Sequence, residues 1–381
     1  MFVPLSGGKK RHCSLNIIKI LFMKNLIYSA SSRFLPVAAC FLLLAGCSKD
    51  SAPLPANQQS FTVVNLVASD ATFSGARVDP HLLNAWGLAF SPTGTAWVSS
   101  TGDHTSAVYT STGAQALPAV TIPTHGAATG GIPTGQVFNN TTGFVLPNGN
   151  PAKFIFAGID GVISGWNGGT GAITAVDRNG TSVYTGLAIG AVATDTFLYA
   201  ADFNSGKIDM YNKNFVLQPN SFTDPGLPPG YNPFNVQNIG GQLFVTYAQP
   251  DPVTHTEKKA AGLGLVNIFN TNGTFVRRFV SNNDKLNAPW GIAQAPSGWL
   301  SASTGTTVYL VGNLGDGRIN AYSITGQWFG ALQNNGTPIT IDGLWSLSFP
   351  PATATAINPS FLYFTAGPAG ETKGLFGYVT P

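Results

Sequence analysis

Cysteine and charge are both scarce in this chain of 381 residues. The three cysteines, Cys13, Cys40 and Cys47, all fall within the first 47 positions. The remainder therefore has no disulfide framework, no thiol nucleophile and no cysteine zinc site. Charged residues make up only 9% of the chain. Beyond Cys47 no stretch carries the 3.6-residue apolar period of a long amphipathic helix. His81, His104, His125 and His255 are scattered, without the His-x-x-x-His or glutamate spacing of a zinc hydrolase. Ser164 sits in Gly-x-x-Ser-Gly, which is not a nucleophile elbow. Gly262-Leu263-Gly264 has neither the helix nor the acid of a dinucleotide site, and no phosphate loop occurs.

Glycine, proline and aromatic residues are plentiful: 45 Gly, 26 Pro and 11% Phe, Trp and Tyr. That composition suits many tight turns between strands packed on both faces. The strands also repeat. Asn84-Ala85-Trp86-Gly87-Leu88-Ala89 returns as Asn287-Ala288-Pro289-Trp290-Gly291-Ile292-Ala293, and more loosely as Gly343-Leu344-Trp345-Ser346-Leu347. Six small or polar centres can be placed, at Gly87, Gly135, Gly186, Asn235, Gly291 and Ser346, and an aromatic residue precedes four of them. Each copy is followed by an apolar strand (Ala96–Ser99, Phe154–Ala157, Phe197–Ala200, Leu243–Thr246, Val308–Val311, Leu362–Thr365), a Gly/Asp/Asn turn and a further strand. Short alternating runs bounded by turn residues are strand signals, and units of roughly 40–50 residues with about four strands are propeller blades.

The repeat therefore predicts an all-β, six-bladed β-propeller over 61–381, with a β-sandwich as the competing architecture for the same strands. The last copy ends too close to Pro381 for a fourth strand. Phe61–Val67 precedes the first copy and belongs to no blade. Pairing 61–67 onto the last blade would close the ring and cover an open sheet edge.

The N-terminus reads as a targeting segment. Lys24 and Arg33 precede an apolar run from Phe34 to Leu44, too short for a stable membrane span. Leu44-Ala45-Gly46-Cys47 resembles the lipobox of bacterial lipoprotein precursors. On that resemblance, 1–46 is a signal peptide with a true start at Met1 or Met23, Cys47 carries the lipid, and 47–60 is a flexible tether. Ser48 and Lys49 resemble outer-membrane retention signals, which gives the expected location as the bacterial cell envelope. A simple secretory signal or a retained anchor is the alternative. Six of the 19 basic residues and none of the 16 acidic ones precede Cys47. The rest of the chain thus has 13 basic against 16 acidic residues, a net charge of −3. No basic stripe remains to bind nucleic acid.

Several segments then carry a family resemblance: Asn65-Leu66-Val67, Asp79-Pro80, the Asn84–Ala89 phrase, Asp160–Trp166, Pro233–Gln237, Ala288–Gly291, Gly312–Gly317 and Ile341–Trp345. Over about Phe61–Tyr378 the chain resembles a family of secreted bacterial propellers, uncharacterised in activity and distantly NHL-repeat-like. The resemblance implies a fold and transfers no catalytic residue.

In a four-stranded blade the loop into the innermost strand and the loop between the second and third strands share one face of the disc. Those loops place Asp79, Asn84, Trp86, Asp103, His104, Asp160, Asn235, Asn287, Trp290, Asp316, Asp342 and Trp345 around a channel mouth, where ligands of propellers commonly sit. The plainer reading gives Asn and Asp to turn backbone and Trp to packing between blades. Positions that break the repeat carry more functional weight. They are Asp103-His104, the charged stretch Gln249–Lys259 and the Glu371/Lys373 pair. Such loops serve recognition or are tolerated insertions.

Asp202, Asn204 and Asp209 have the alternating oxygens of a Ca2+ loop, but Asn204-Ser205-Gly206 is also ordinary hairpin chemistry. A divalent cation such as Ca2+ is the one cofactor these residues leave open. The function expected is a ligand-binding or protein-interaction propeller, taking a small molecule, carbohydrate or protein at the channel face. The alternative is a divalent-metal-dependent hydrolase or lyase of the lactonase-like propeller type.

Overall fold

The computed structural model describes residues 59–219, 222–281, 284–301 and 305–381. The expected signal peptide, Cys47 and most of the tether lie outside the described residues. Of the tether, Gln59 and Ser60 are described and tied down. Gln59 donates to the Trp299 carbonyl and accepts from the Ser301 amide at 2.7 Å, and Ser60 accepts from the Asn335 amide at 3.0 Å.

Six antiparallel four-stranded blades surround an axis. Their innermost strands are Ala85–Phe90, Pro133–Phe138, Tyr184–Val192, Asn232–Ile239, Pro289–Gln294 and Leu344–Ser348. Every one of the six repeat centres falls on an innermost strand. The phrase thus marks where each blade enters the channel wall. In blades 1 to 5 the four strands run in sequence order from axis to rim.

Blade 6 has only three strands of its own, Leu344–Ser348, Leu362–Ala366 and Leu375–Thr380. Thr62–Ala68 completes it, antiparallel to the last strand, with Thr62 opposite Thr380 and Ala68 opposite Leu375. A short parallel strand, Arg77–Val78, follows outside it. The N-terminal closure expected at 61–67 is present, one residue further along. Main-chain bonds from the two ends of the chain join the ring and leave no unpaired edge on Leu375–Thr380.

The alternation within each strand explains how the blades cohere. Ala96 and Val98 point into an apolar cluster shared with blade 6, while Trp97 between them points into one shared with blade 2. Blade 2 repeats this, sending Phe154 and Phe156 to blade 1 and Ile155 and Ala157 to blade 3. Successive side chains of a strand face opposite ways, so a sheet with neighbours on both sides must be apolar throughout. Six clusters of this kind fill the six interfaces between blades.

The small centres have a steric cause. A Cβ on Gly87 would fall on the Thr134 carbonyl oxygen, on Gly135 on the Leu187 amide nitrogen, and on Gly186 on the Asn235 side chain. Inner strands converge there, and only hydrogen fits. Where the centre is not glycine, its side chain bridges the gap. Asn235 donates to the Trp290 carbonyl at 2.9 Å, and Ser346 donates to the Trp86 carbonyl at 2.8 Å.

Candidate functional site

The aromatic residues that precede four of the centres meet on the axis. Trp86 stacks on Trp345 with ring centroids 3.6 Å apart. Trp290 stands edge-on to Trp345 at 5.9 Å, and Phe234 lies 5.8 Å from it. With Phe203, Leu314, Ala248 and Ala288 they form a seventh apolar cluster. In blades 2 and 3 the same position holds Thr134 and Thr185, and the Thr185 carbonyl accepts the Trp290 indole N–H at 2.9 Å. Trp86, Trp290 and Trp345 are 6%, 4% and 0% exposed. The rings fill the front end of the channel, where the inner strands begin. The sequence placed these tryptophans on front-face loops, either as a channel-mouth rim or as packing between blades; they lie instead on the innermost strands, buried on the axis. The Trp86 indole N–H and the Asn287 side-chain oxygen are buried without partners among the described residues.

Asn235 lies buried on an innermost strand; the other candidates lie on the front-face loops, and most hold backbone. Asn84 has a left-handed backbone (φ 47°), as do Ala288 and Gly343 two residues before the other two tryptophans. The structural equivalent of Asn84 is therefore Ala288, and Asn287 is displaced by one position. Asp79 accepts from the Tyr109 hydroxyl at 2.8 Å and from the His81 amide. Asp103 pairs with His81 at 3.0 Å and holds its imidazole pKa above the ordinary value. His104 bonds the Gly131 carbonyl. Asp160 accepts from Thr124, Asp316 from Asn313 and the Arg318 amide, and Asp342 from the Ala369 amide.

Asp202 accepts three backbone amides, those of Val183, Asn204 and Ser205, while Asp209 accepts the Tyr184 hydroxyl. That is hairpin chemistry, and the two carboxylates serve different partners. Among the described residues no group of three or more His, Cys, Asp or Glu side chains comes together in a way that could hold a metal ion.

Two of the three breaks in the repeat are brought together over the plugged front end. Lys259, from the enlarged turn of blade 4, lies 3.1 Å from Glu257 and 3.1 Å from Glu371 of blade 6. Glu371 in turn accepts from the Asn84 side-chain amide at 3.2 Å, and Asn84 accepts the Trp345 indole N–H at 2.9 Å. A polar chain thus descends from the charged loops to the aromatic plug.

These groups line a cleft of about 550 Å3 with Asp251, Thr254, Thr256, Lys258, Ala260 and Leu263. The Glu257 side chain is 8% exposed. Its burial raises the carboxyl pKa above the ordinary value even with Lys259 opposing. Burial pulls the Lys259 ammonium down, but the two glutamates outweigh it and the net shift is upward. His255, Ala369 and Glu371 all adopt left-handed backbone (φ 59°, 57° and 69°), and such conformations in residues with a Cβ concentrate at functional loops. The third break, Asp103-His104, sits apart with His81. Lys259 and Glu371 could be flagged from sequence as charge in an uncharged chain, but their meeting could not.

The other end of the channel is open. A cavity of about 400 Å3 lies among the far halves of the inner strands, lined by Leu88, Phe90, Gln136, Phe138, Leu187, Ile189, Gln237, Asn238, Ser348 and Phe349 among others. Sequence reasoning missed it, since Gln136 and Gln237 occupy different repeat positions and give no recurring signal.

Uncharacterized protein R648 of Acanthamoeba polyphaga mimivirus is 33% identical over 333 residues, covering 83% of this chain and 79% of that protein. The chain belongs to that family. Uncharacterized protein L690 of the same virus is 32% identical over 333 residues, covering 82% of this chain and 84% of that protein. These members are viral, whereas the sequence resemblance pointed to bacterial propellers. No family model matches the chain. Among solved structures, a streptogramin B lyase is similar with a TM-score of 0.49 and 12% identity, over 84% of this chain and 97% of that one. Virginiamycin B lyase from Staphylococcus aureus has a TM-score of 0.46 and 11% identity, over 84% and 99%. At those values no chemistry carries over.

Proposed function

We propose that the chain is a ligand-binding propeller whose recognition site is the front-face cleft roofed by the blade 4 and blade 6 loops. The observation that carries this reading is Lys259 held between Glu257 and Glu371, in loops that depart from the repeat and have left-handed backbone at His255, Ala369 and Glu371. Holding such backbone costs roughly 1–3 kcal/mol per residue, and a buried carboxylate costs more unless paired. A surface insertion with no role has no reason to keep either. The cleft carries both signs of charge, so it suits a polar ligand bearing charge, such as a small zwitterion or an exposed peptide segment.

The test is thermal unfolding of the protein against amino acids, dicarboxylates, polyamines and short mixed-charge peptides. A ligand at a hundredfold excess over its Kd should add about 2.7 kcal/mol of stability, and the gain should vanish in Lys259→Ala. If no class shifts the transition at saturation, or if Lys259→Ala keeps the shift, the reading fails. The same proposal holds the propeller in a cell envelope through lipid on Cys47, on the strength of the lipobox-like Leu44-Ala45-Gly46-Cys47.

A further inference from the structure

We infer that the back end of the channel is a second, separate binding site, and that it takes a neutral sugar. Its volume of about 400 Å3 falls within the range of about 300–1,000 Å3 usual for small-molecule sites. None of the residues that line it is Asp, Glu, Lys, Arg or His. An ion, phosphate or carboxylate entering it would lose hydration and find no counter-charge. This sets it apart from the front cleft, which is lined by charge.

The polar groups on its wall narrow the class further. Gln136 is fully committed: it donates to the Gly87 and Trp97 carbonyls at 2.9 and 2.6 Å and accepts from the Ser106 hydroxyl at 2.9 Å. Asn238 is committed as well, donating to the Ile189 carbonyl at 2.8 Å and accepting from the Gly241 amide at 3.1 Å. These bonds fix the wall. Gln237 borders both the cavity and the constriction beneath it, and its side-chain amide makes no hydrogen bond to another described residue. It presents one donor group and one acceptor side by side, the pattern that adjacent hydroxyls complement.

Phe90, Phe138 and Phe349 border the same space, with their rings also packed into the interfaces between blades, so its wall is apolar beside the amide. A wholly apolar ligand would bury the Gln237 amide unpaired, which is unfavourable. A molecule with a C–H face for the rings and a hydroxyl edge for the amide satisfies both, and a neutral pyranose has that form.

The test is calorimetric titration of the full chain with neutral tri- and tetrasaccharides of glucose, mannose, galactose and N-acetylglucosamine, beside a galacturonate trimer. At least one neutral oligosaccharide should bind, and the galacturonate trimer should bind at least tenfold more weakly. Gln237→Leu should weaken binding at least tenfold with an unchanged melting temperature, and Lys259→Ala on the front face should leave it unaltered. If Gln237→Leu does not fold, Gln237→Asn, which withdraws the amide by one methylene, takes its place with the same expected loss. The inference is overturned if no neutral sugar binds at millimolar concentration, if the uronate binds equally well, or if the folded Gln237 variant binds like the parent.

Discussion

Trp86 of the first blade lies flat on Trp345 of the last, with planes 14° apart and centroids separated by 3.6 Å. The stack forms where the ring closes, beside the hydroxyls of Ser346 and Thr365, which both donate to the Trp86 carbonyl. Closure is therefore secured twice, on the axis by these rings and at the rim by Thr62–Ala68.

Trp345→Ala should destabilise the protein by about 3–5 kcal/mol, since removing a fully buried aromatic side chain leaves a cavity that a rigid surround cannot refill. Urea unfolding followed by far-ultraviolet circular dichroism would measure it. A loss below about 1 kcal/mol would mean that the plug contributes little to the core.

Gly135→Ala should cost about 1–3 kcal/mol or more, because its new methyl meets the backbone of Gly186 and Leu187, which cannot step aside as a side chain would. Ser346→Ala, at the equivalent position in blade 6, should lose only one hydrogen bond, about 1 kcal/mol. The order of the two midpoints in one denaturant series decides the matter, and the reverse order would contradict the close-approach account.

Asp224 lies in a buried group with Arg278 and Asn267, its side chain 3% exposed. Burial pushes its carboxyl pKa up, but Arg278 and the Gly226 amide outweigh this and hold it below the ordinary 3.8. A depressed folded pKa contributes stability above the unfolded value and loses it as pH falls through the folded one. Asp224→Asn should therefore be less stable than the parent at pH 7, on the order of 3 kcal/mol. The gap should close as pH drops below about 4, the region set by the unfolded carboxylate.

Glu257 has the opposite sign. Burial raises its folded pKa above the ordinary 4.5, so between those values the folded state holds a proton that the unfolded chain has released. Stability of the parent relative to Glu257→Gln should fall as pH rises through that window and then level off. Parallel thermal melts from pH 4 to pH 8 would show it. A difference that is flat with pH would place the carboxyl in an ordinary solvent-like setting.

Cys47→Ser should abolish incorporation of radiolabelled palmitate when the full chain is made in a bacterial host, and should shift the protein from the membrane to the soluble fraction. Labelling that persists in the variant would remove the proposed anchor.

The blade count, the position of every inner strand and the N-terminal closure were legible in the sequence. Strand alternation and turn chemistry are local, and they recur at Gly87, Gly135, Gly186, Asn235, Gly291 and Ser346 with nearly constant spacing. The clefts were not legible. Trp86, Trp290 and Trp345 could be read as a rim or, more plainly, as packing between blades, because a repeat states that each copy arrives in the same way and not how far its side chain reaches. Likewise, Lys259 and Glu371 carry no mutual signal across the residues that separate them.

By itself, then, the sequence determined what depends on near neighbours in the chain: the strands, the turns, the glycine centres and the order of blades. Only the tertiary structure decided that four rings plug the front of the channel, that Lys259 joins two distant loops above them, and that the back stays open. The reason is geometric. Closing six twisted sheets about one axis brings residues together by angle and radius, quantities that no interval along the chain encodes.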